Sequence, residues 1–405
     1  MPWKGQTMEE QRKEFVRRAL AREKNKSTLC REYGISRPTG DKWINRFQSG
    51  ESMSDQSRAP YRTPNKTSSE TEMAVVELRR NHPAIGAKKL KRMLENQDLN
   101  APAYSTINAI LHRNGLITKE ASAAATPYIR FEKKHPNEMW QADFKGHFTI
   151  KDGTRCCPLT LLDDHSRFCL CIDAKENERY EGTRESFLKV FERHGLPGTL
   201  LCDNGNPWGT VQSAGYTKFE VWLMDLGILT KHGRAHHPQT QGKDERFNGT
   251  LLRERLKYRE YENSEHAQRD FDEYRTFYNY ERPHHALNLD TPSERYCNSE
   301  HKLPQKVNEW KYDADVLTRE IKAHGYLSFN GQGYFLSEAF GRKTVGLIES
   351  KSNRDLFYVI YRQFCIAKLN VDERIVVARK AFRWDSFNEE KCKPCPRTNC
   401  KPCHA

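Results

Sequence analysis

Apolar positions change their period twice along the chain. Over the first third they recur every three or four residues, the spacing of a helix with one buried stripe. Leu29, Cys30 and Tyr33 predict a short helix stopped at Gly34. Ser36 can cap a second helix with Pro38 in its first turn, burying Trp43, Ile44 and Phe47 and exposing Arg37, Lys42 and Arg46. Further on, His82-Pro83 opens a turn, and Gly86 to Gln97 repeats apolar side chains at Leu90, Met93 and Leu94 among Lys88, Lys89, Lys91 and Arg92. Ser105 then caps Thr106 to Arg113, with Ile107, Ile110 and Leu111 inward. From Met139 the period falls to two: Trp140, Ala142 and Phe144 alternate with Gln141, Asp143 and Lys145. Lys151-Asp152-Gly153 reads as a hairpin turn, Cys157 to Leu162 and Phe168 to Ile172 as strands, and Glu181 to His194 as a helix. A short buried strand Thr199 to Cys202, a helix Lys218 to Leu226, a strand near Leu229 and a long helix from Lys243 follow. Beyond Gly325 short alternating strands return, with a turn at Gly331-Gln332-Gly333.

Helix, glycine turn and capped helix form the helix-turn-helix pattern, whose second helix enters the major groove of DNA. Two basic units of this kind in tandem point to double-stranded DNA, with Arg37, Lys42, Arg46, Lys88, Lys89 and Arg113 as candidate contacts. Three antiparallel strands followed by alternating helices and strands predict an α/β sheet with a mixed edge, as in RNase H-like folds. The terminal strands predict a small all-β barrel.

Composition agrees with that division. The 405 residues carry a net charge of +13 and 36% hydrophobic residues. Residues 1–135 hold 26 Lys and Arg against 15 Asp and Glu, whereas residues 136–405 hold 41 against 39. The basic surplus therefore lies with the helical third, as expected of a segment that binds a polyanion. No stretch approaches the roughly 18 apolar residues of a membrane helix. Without a secretory pattern at the start, a cytoplasmic protein with reduced cysteines is expected.

Three carboxylates stand out. Asp203 ends a buried strand, where open α/β sheets bind ligands, although Asp203-Asn204-Gly205 is also good turn chemistry. Asp143 lies on the polar side of its strand. Glu245 precedes Leu252 and Leu256 by seven and eleven residues, placing it on their stripe of the helix and so toward the sheet. Three convergent carboxylates suit a hard cation such as Mg²⁺.

Trp140 to Gly146 (WQADFKG), Asp163 to Arg167 (DDHSR), Leu201 to Trp208 (LCDNGNPW), His237 to Glu254 (HPQTQGKDERFNGTLLRE) and Tyr278 to Leu287 (YNYERPHHAL) resemble the integrase core of insertion-sequence transposases and retroviral integrases. The resemblance covers roughly residues 25–380. It implies that Asp143, Asp203 and Glu245 form an Asp-Asp-Glu triad that is both catalytic and metal-binding, holding two Mg²⁺ for which Mn²⁺ can substitute. It also implies that the helix-turn-helix units recognise terminal inverted repeats. The expected activity is cleavage at element ends and transfer of the 3′-OH ends into target DNA. Pairing two ends requires at least a dimer. Lys243 and Arg246, flanking Glu245, are placed to contact phosphates. Three departures from the family pattern occur: 41 residues between Asp203 and Glu245, with the excess placed in Asn206 to Gly215; Leu252 where a basic residue is common; and Gly249 inside the helix. None removes a ligand. A DNA-binding regulator with an idle core, and a nuclease of RNA–DNA hybrids, are the competing classes.

The tail places Cys392, Cys395, Cys400 and Cys403 in a C-x₂-C-x₄-C-x₂-C pattern. Four thiolates can close a tetrahedral Zn²⁺ site, yet the short gap and polar surroundings equally fit a metal-free Cys-rich tail. The expected domains are residues 1–50 and 70–120 (helix-turn-helix) with a linker at 51–69, then 128–297 (catalytic core), 310–382 (β-barrel) and 383–405 (tail).

Overall fold

The computed structural model describes residues 7–55, 67–117, 132–209, 215–233, 242–378, 381–385 and 387. Two compact units divide the chain, Met1–Lys66 and Thr67–Ala405.

The first unit has three helices, α1 (Met8–Leu20), α2 (Lys26–Glu32) and α3 (Arg37–Gln48). The unforeseen α1 begins with a capping box between Thr7 and Glu10. Its Phe15 and Val16 close a small core with Leu29, Cys30, Trp43 and Met53. Gly40 is required at the α2–α3 contact, since a Cβ there would stand 2.8 Å from Cys30 Sγ. That close approach sets the rotation of α3. Its buried stripe runs Gly40, Trp43 and Arg46 rather than Trp43, Ile44 and Phe47, and Phe47 is 45% exposed.

The second unit opens with α4 (Ser69–Asn81), α5 (Ala87–Asn96) and α6 (Tyr104–Arg113). Ser68 caps α4, an element the sequence pattern did not reveal. Val75, Ile85, Leu90, Met93, Leu94, Ile107, Ile110 and Leu111 fill the space between them.

A mixed sheet follows, made of β1 (Trp140–Phe144), β2 (Phe148–Thr149), β3 (Arg155–Asp163), β4 (Cys169–Lys175), β5 (Thr199–Cys202) and β6 (Leu229–His232). Strand β1 pairs antiparallel with β3 and parallel with β5, β5 pairs parallel with β6, and β4 pairs with β3. Antiparallel and parallel pairings thus meet in one sheet, the mixed α/β arrangement the sequence pattern predicts. On one face Trp140, Leu159 and Leu161 pack with Phe187 and Phe191 of α7 (Tyr180–His194) and Phe219 of α8 (Lys218–Asp225). On the other, Leu162 and Cys169 pack with Phe247 and Leu251 of α9 (Gly242–Glu254) and Phe271 and Tyr274 of α10 (Ser264–Tyr280). Buried on both faces, the sheet reads as near-continuous apolar strands.

The C-terminal strands are β7 (Leu317–Glu320), β8 (Tyr326–Phe329), β9 (Gln332–Phe335), β10 (Thr344–Glu349), β11 (Leu356–Tyr361), β12 (Phe364–Asn370), β13 (Ile375–Ala378) and β14 (Phe382–Arg383). They do not close into the expected barrel among the described residues. They form an open antiparallel sheet, β13-β12-β11-β10-β7 with β14 on β12, beside a β8-β9 hairpin. The hairpin turns at Asn330-Gly331, both at positive φ, one position earlier than the sequence pattern placed it. The sheet is anchored on the core, where Val221, Met224 and Leu229 join its apolar cluster. Asp225 pairs there with Lys343 at 2.8 Å and Arg362 at 3.1 Å.

Candidate active site

The parallel register pairs Trp140 with Leu200 and Gln141 with Leu201. Two residues further along each strand lie Asp143 and Asp203. The topology therefore puts these carboxylates at matching positions on neighbouring strand ends, the edge where such sheets bind ligands. Helix α9, which carries Glu245, crosses over β1 and β3.

Asp143 is half-buried, and its carboxylate Oδ2 accepts a hydrogen bond from Asn248 Nδ2 at 2.8 Å. Asn248 is 5% exposed and its Oδ1 faces Thr160 Oγ1 at 3.4 Å. Burial, then the negative charge of Asp203 and to a smaller extent that of Glu245, push Asp143 up to about 6. Like charges crowd one another here, and a cation among them would relieve the crowding. Asp203 also makes the anticipated turn, Oδ1 accepting from Gly205 N–H at 2.9 Å. Behind it, His232 at the end of β6 faces the Asp203 carbonyl through Nδ1 at 2.7 Å and Glu220 Oε1 through Nε2 at 2.9 Å. Burial disfavours the charged ring, but the bonds to Glu220 and to the Asp203 carbonyl outweigh it and raise the pKa of His232.

The stripe assigned to α9 needs correction. Asp244, Phe247, Asn248 and Leu251 face inward, whereas Glu245 is exposed, Leu252 is 45% exposed, and Leu256 lies beyond the helix. One residue is a 100° turn of a helix, so Asp244 takes the buried place expected of Glu245. Its carboxylate is fully buried without a hydrogen-bond partner among the described residues. Burial, then the charges of Asp143 and Asp164, raise its pKa well above the usual range.

Donor chemistry at Asp143, Asp203 and Glu245 fits a hard divalent cation: three oxygen ligands in mutual repulsion. Among the described residues, however, no three His, Cys, Asp or Glu side chains are gathered closely enough to hold a metal ion. Glu245 is exposed, outward on its helix.

The anticipated DNA contacts separate into two groups. Arg37, Lys42, Lys88 and Arg246 are exposed. The other four are paired or packed against the fold, although Arg113 is itself exposed. Arg46 is 9% exposed and pairs with Glu51 at 3.3 Å. Arg113 pairs with Glu72, its Nε standing 2.7 Å from Oε1. Lys243 turns inward to the buried Asp164 at 2.5 Å, because Asp164 needs a counter-charge. Lys89 packs beside Arg282 and Glu254, and burial followed by the Arg282 charge pushes it down to about 7. Sequence periodicity could not separate these groups, since a helix has two polar flanks and only packing decides which is covered.

Asn248, Glu220 and His232 were missed. The signal available for Asn248 was its spacing of three residues from Glu245, one turn along the same helix. His236, His237, Gln239 and Gln241, part of the Asn206 to Gly215 loop, and the four tail cysteines lie outside the described residues. No described helix is long and apolar enough to cross a membrane.

Residues 133–238 and 226–292 match models of an integrase core domain. Residues 11–61 match a helix-turn-helix domain and residues 39–111 a homeodomain-like domain. The chain is 26% identical over 173 residues to the Gag-Pol polyprotein of baboon endogenous virus, covering 41% of this chain but 9% of that protein. It is 25% identical to an uncharacterized 31.7 kDa protein of insertion element IS407 from Burkholderia multivorans, covering 54% of this chain and 78% of that one. It is 22% identical to the transposase for insertion sequence element IS904 from Lactococcus lactis, covering 52% and 86%. Among solved structures, it is similar to the HTLV-2 integrase catalytic core domain in complex with magnesium, at 19% identity and a TM-score of 0.31, over 40% of this chain and 97% of that one. The simian T-cell lymphotropic virus intasome is matched at 18% identity and a TM-score of 0.35, over 76% and 96%.

Proposed function

We propose that this chain, which carries an integrase core behind helix-turn-helix domains as insertion-sequence transposases do, cleaves the ends of a mobile element and joins them to target DNA. The observation that carries this reading is the matched placement of Asp143 and Asp203 on adjacent parallel strand ends, with Glu245 exposed on α9, the helix that packs on β1 and β3. Asp143, Asp203 and Glu245 would hold divalent cations, Mg²⁺ in the cell with Mn²⁺ as a substitute. Bound there, two such ions supply charge neutralisation for the attacking and leaving oxygens of an in-line phosphoryl displacement.

The chain's own residues would set that geometry. Asn248 holds the Asp143 carboxylate, and the Asp164–Lys243 pair fixes the start of α9. In the first step water breaks a phosphodiester P–O bond and leaves a free 3′-OH. In the second, that 3′-OH attacks a target phosphate, forming one ester as another breaks. No protein nucleophile is consumed. Arg246 is exposed beside Glu245 for phosphate contact. Arg37, Lys42 and Lys88 are exposed on the helical units that would bind the terminal repeats of double-stranded DNA. Two ends handled together call for at least a dimer, working in the cytoplasm.

The test is cleavage of duplexes taken from the DNA flanking the reading frame. Nicks that leave 3′-OH ends, made with Mg²⁺ and abolished by chelation, support this reading. Tight binding to those duplexes without cleavage would instead support a regulator with an idle core.

A further inference from the structure

Asp203 ends a strand and begins a turn, so its carboxylate direction depends on how firmly its backbone is held. Two contacts knit the ends of β5 and β6 around it. Gly233 N–H donates to the Cys202 carbonyl at 2.9 Å. Asn204 Nδ2 donates to the Gly233 carbonyl at 3.1 Å. Between them, the Asp203 carbonyl accepts from His232 Nδ1 at 2.7 Å.

The ring is held in turn. Its Nε2 meets Glu220 Oε1 at 2.9 Å, and Glu220 is 6% exposed in the first turn of α8. The other oxygen of Glu220 accepts from Thr217 N–H at 2.7 Å, completing a capping box. Both ring nitrogens thus have partners, and the imidazole is held from two sides. Space for the ring is reserved by Gly209, where a Cβ would stand 3.3 Å from His232 Cε1 and 3.2 Å from the Asn204 carbonyl.

We propose that His232, anchored by Glu220, is the positioning residue that fixes Asp203 for metal binding and strand joining. The proposal rests on the reading of Asp203 as a catalytic carboxylate. A carbonyl held on a rigid donor fixes the peptide plane that follows Asp203, and thus the direction in which Cβ and the carboxylate leave the backbone. The anchor on a capped helix makes the donor rigid, because Glu220 cannot move without breaking the cap.

Stereochemistry offers a discriminating pair of variants. An Asn amide nitrogen occupies the place of a His Nδ1, and a Gln amide nitrogen that of Nε2. His232→Asn therefore keeps the bond to Asp203 and loses Glu220, while His232→Gln does the reverse. In full-length protein, single-turnover joining at saturating flanking-duplex DNA should fall about tenfold or more in His232→Gln and stay within about threefold in His232→Asn. DNA affinity should remain within about twofold in both. A merely structural tie between β6 and α8 would give the opposite order. His232→Gln at the wild-type rate, or His232→Asn falling as far as His232→Gln, overturns the proposal.

If His232→Gln does not fold, His232→Ala, which also loses the bond to Asp203, replaces it, with an expected loss of about tenfold or more and an unchanged rate overturning the proposal. A wild-type protein that joins no DNA defeats the reading of the site instead. His232 is then judged by Mn²⁺ titration of the DNA-free protein. Affinity about fivefold weaker in His232→Gln but not in His232→Asn supports positioning, and equal affinities in all three overturn it.

Discussion

Asn248 and Asp143, distant in sequence, are joined by a 2.8 Å hydrogen bond that ties α9 to the first strand of the sheet. Asn248 donates to one carboxylate oxygen, and the Phe144 backbone N–H also bonds the group, so the carboxylate is held from two sides. Removing that donor should free Asp143 to rotate and leave Thr160 without its neighbour. Asn248→Ala should slow joining by about tenfold to a hundredfold, a loss of positioning rather than of a ligand. Thermal midpoint and duplex affinity, measured beside the rate, should change little.

Lys243 and Arg246 sit three residues apart and have different jobs. Lys243 pairs with buried Asp164, itself held by Gln141 Nε2 at 2.6 Å. Lys243→Met leaves that carboxylate uncompensated and should cost about 3 kcal/mol of stability. Arg246→Gln should leave stability alone and reduce the slope of log affinity against log salt by roughly one contact. Denaturant melts and salt titrations of both variants check this; a reduced salt slope in Lys243→Met with normal stability would reverse the assignment.

Arg282, in the Tyr278 to Leu287 motif, makes two bonds to Glu254, at 2.6 and 2.7 Å, and both side chains are almost wholly buried. Tyr274 adds a third bond to the same carboxylate at 3.1 Å. The pair locks the end of α9 to the end of α10. Arg282→Lys cannot reproduce the fork and should destabilise the core by about 3 kcal/mol. Replacing both partners with Leu should cost less than Arg282→Leu alone, because no charge is stranded. Equilibrium unfolding of the four proteins decides it.

Lys89 gives the second helical unit a pH dependence. His82 stacks on Phe277 at 4.4 Å and Arg92 approaches Asp290 at 4.0 Å, so α5 is docked on the core with Lys89 beneath it. Its pKa is pushed down to about 7, chiefly by burial. A base lowered in the folded state binds fewer protons there than when unfolded. Docking should therefore strengthen as pH rises from about 7 toward the ordinary lysine range, the charging penalty being fully present below 7. Lys89→Met should raise the midpoint at neutral pH and flatten that slope. A wild-type slope in Lys89→Met would locate the dependence elsewhere; His284 and His285, both lowered by burial, would act only below the ordinary histidine range and so cannot supply it.

Much of the core was legible because its strands are fully buried and its helices carry clean stripes. Thr199 to Cys202 and the helix ending at His194 came directly from that signal. The α9 rotation was not legible: Leu252 and Leu256 appeared to define an apolar stripe, but Leu252 is exposed and the helix stops before Leu256. A buried Asp at position 244 has no apolar signature, so the inward stripe was hidden by its own polar members, Asp244 and Asn248. The barrel is not confirmed among the described residues, for a different reason. Strand count and alternation set the sheet, but closure depends on pairing between β7 and β13, which no local pattern encodes.

Strand transfer by full-length Asp203→Asn, beside the wild type, tests the account most directly. Flanking duplex, supercoiled target and Mg²⁺ are supplied, and joined 3′ ends are counted by sequencing. Wild-type protein should join its ends, and Asp203→Asn should fall by at least about a thousandfold while binding the duplex as tightly. Asp203→Asn joining at the wild-type rate would contradict the site proposed here.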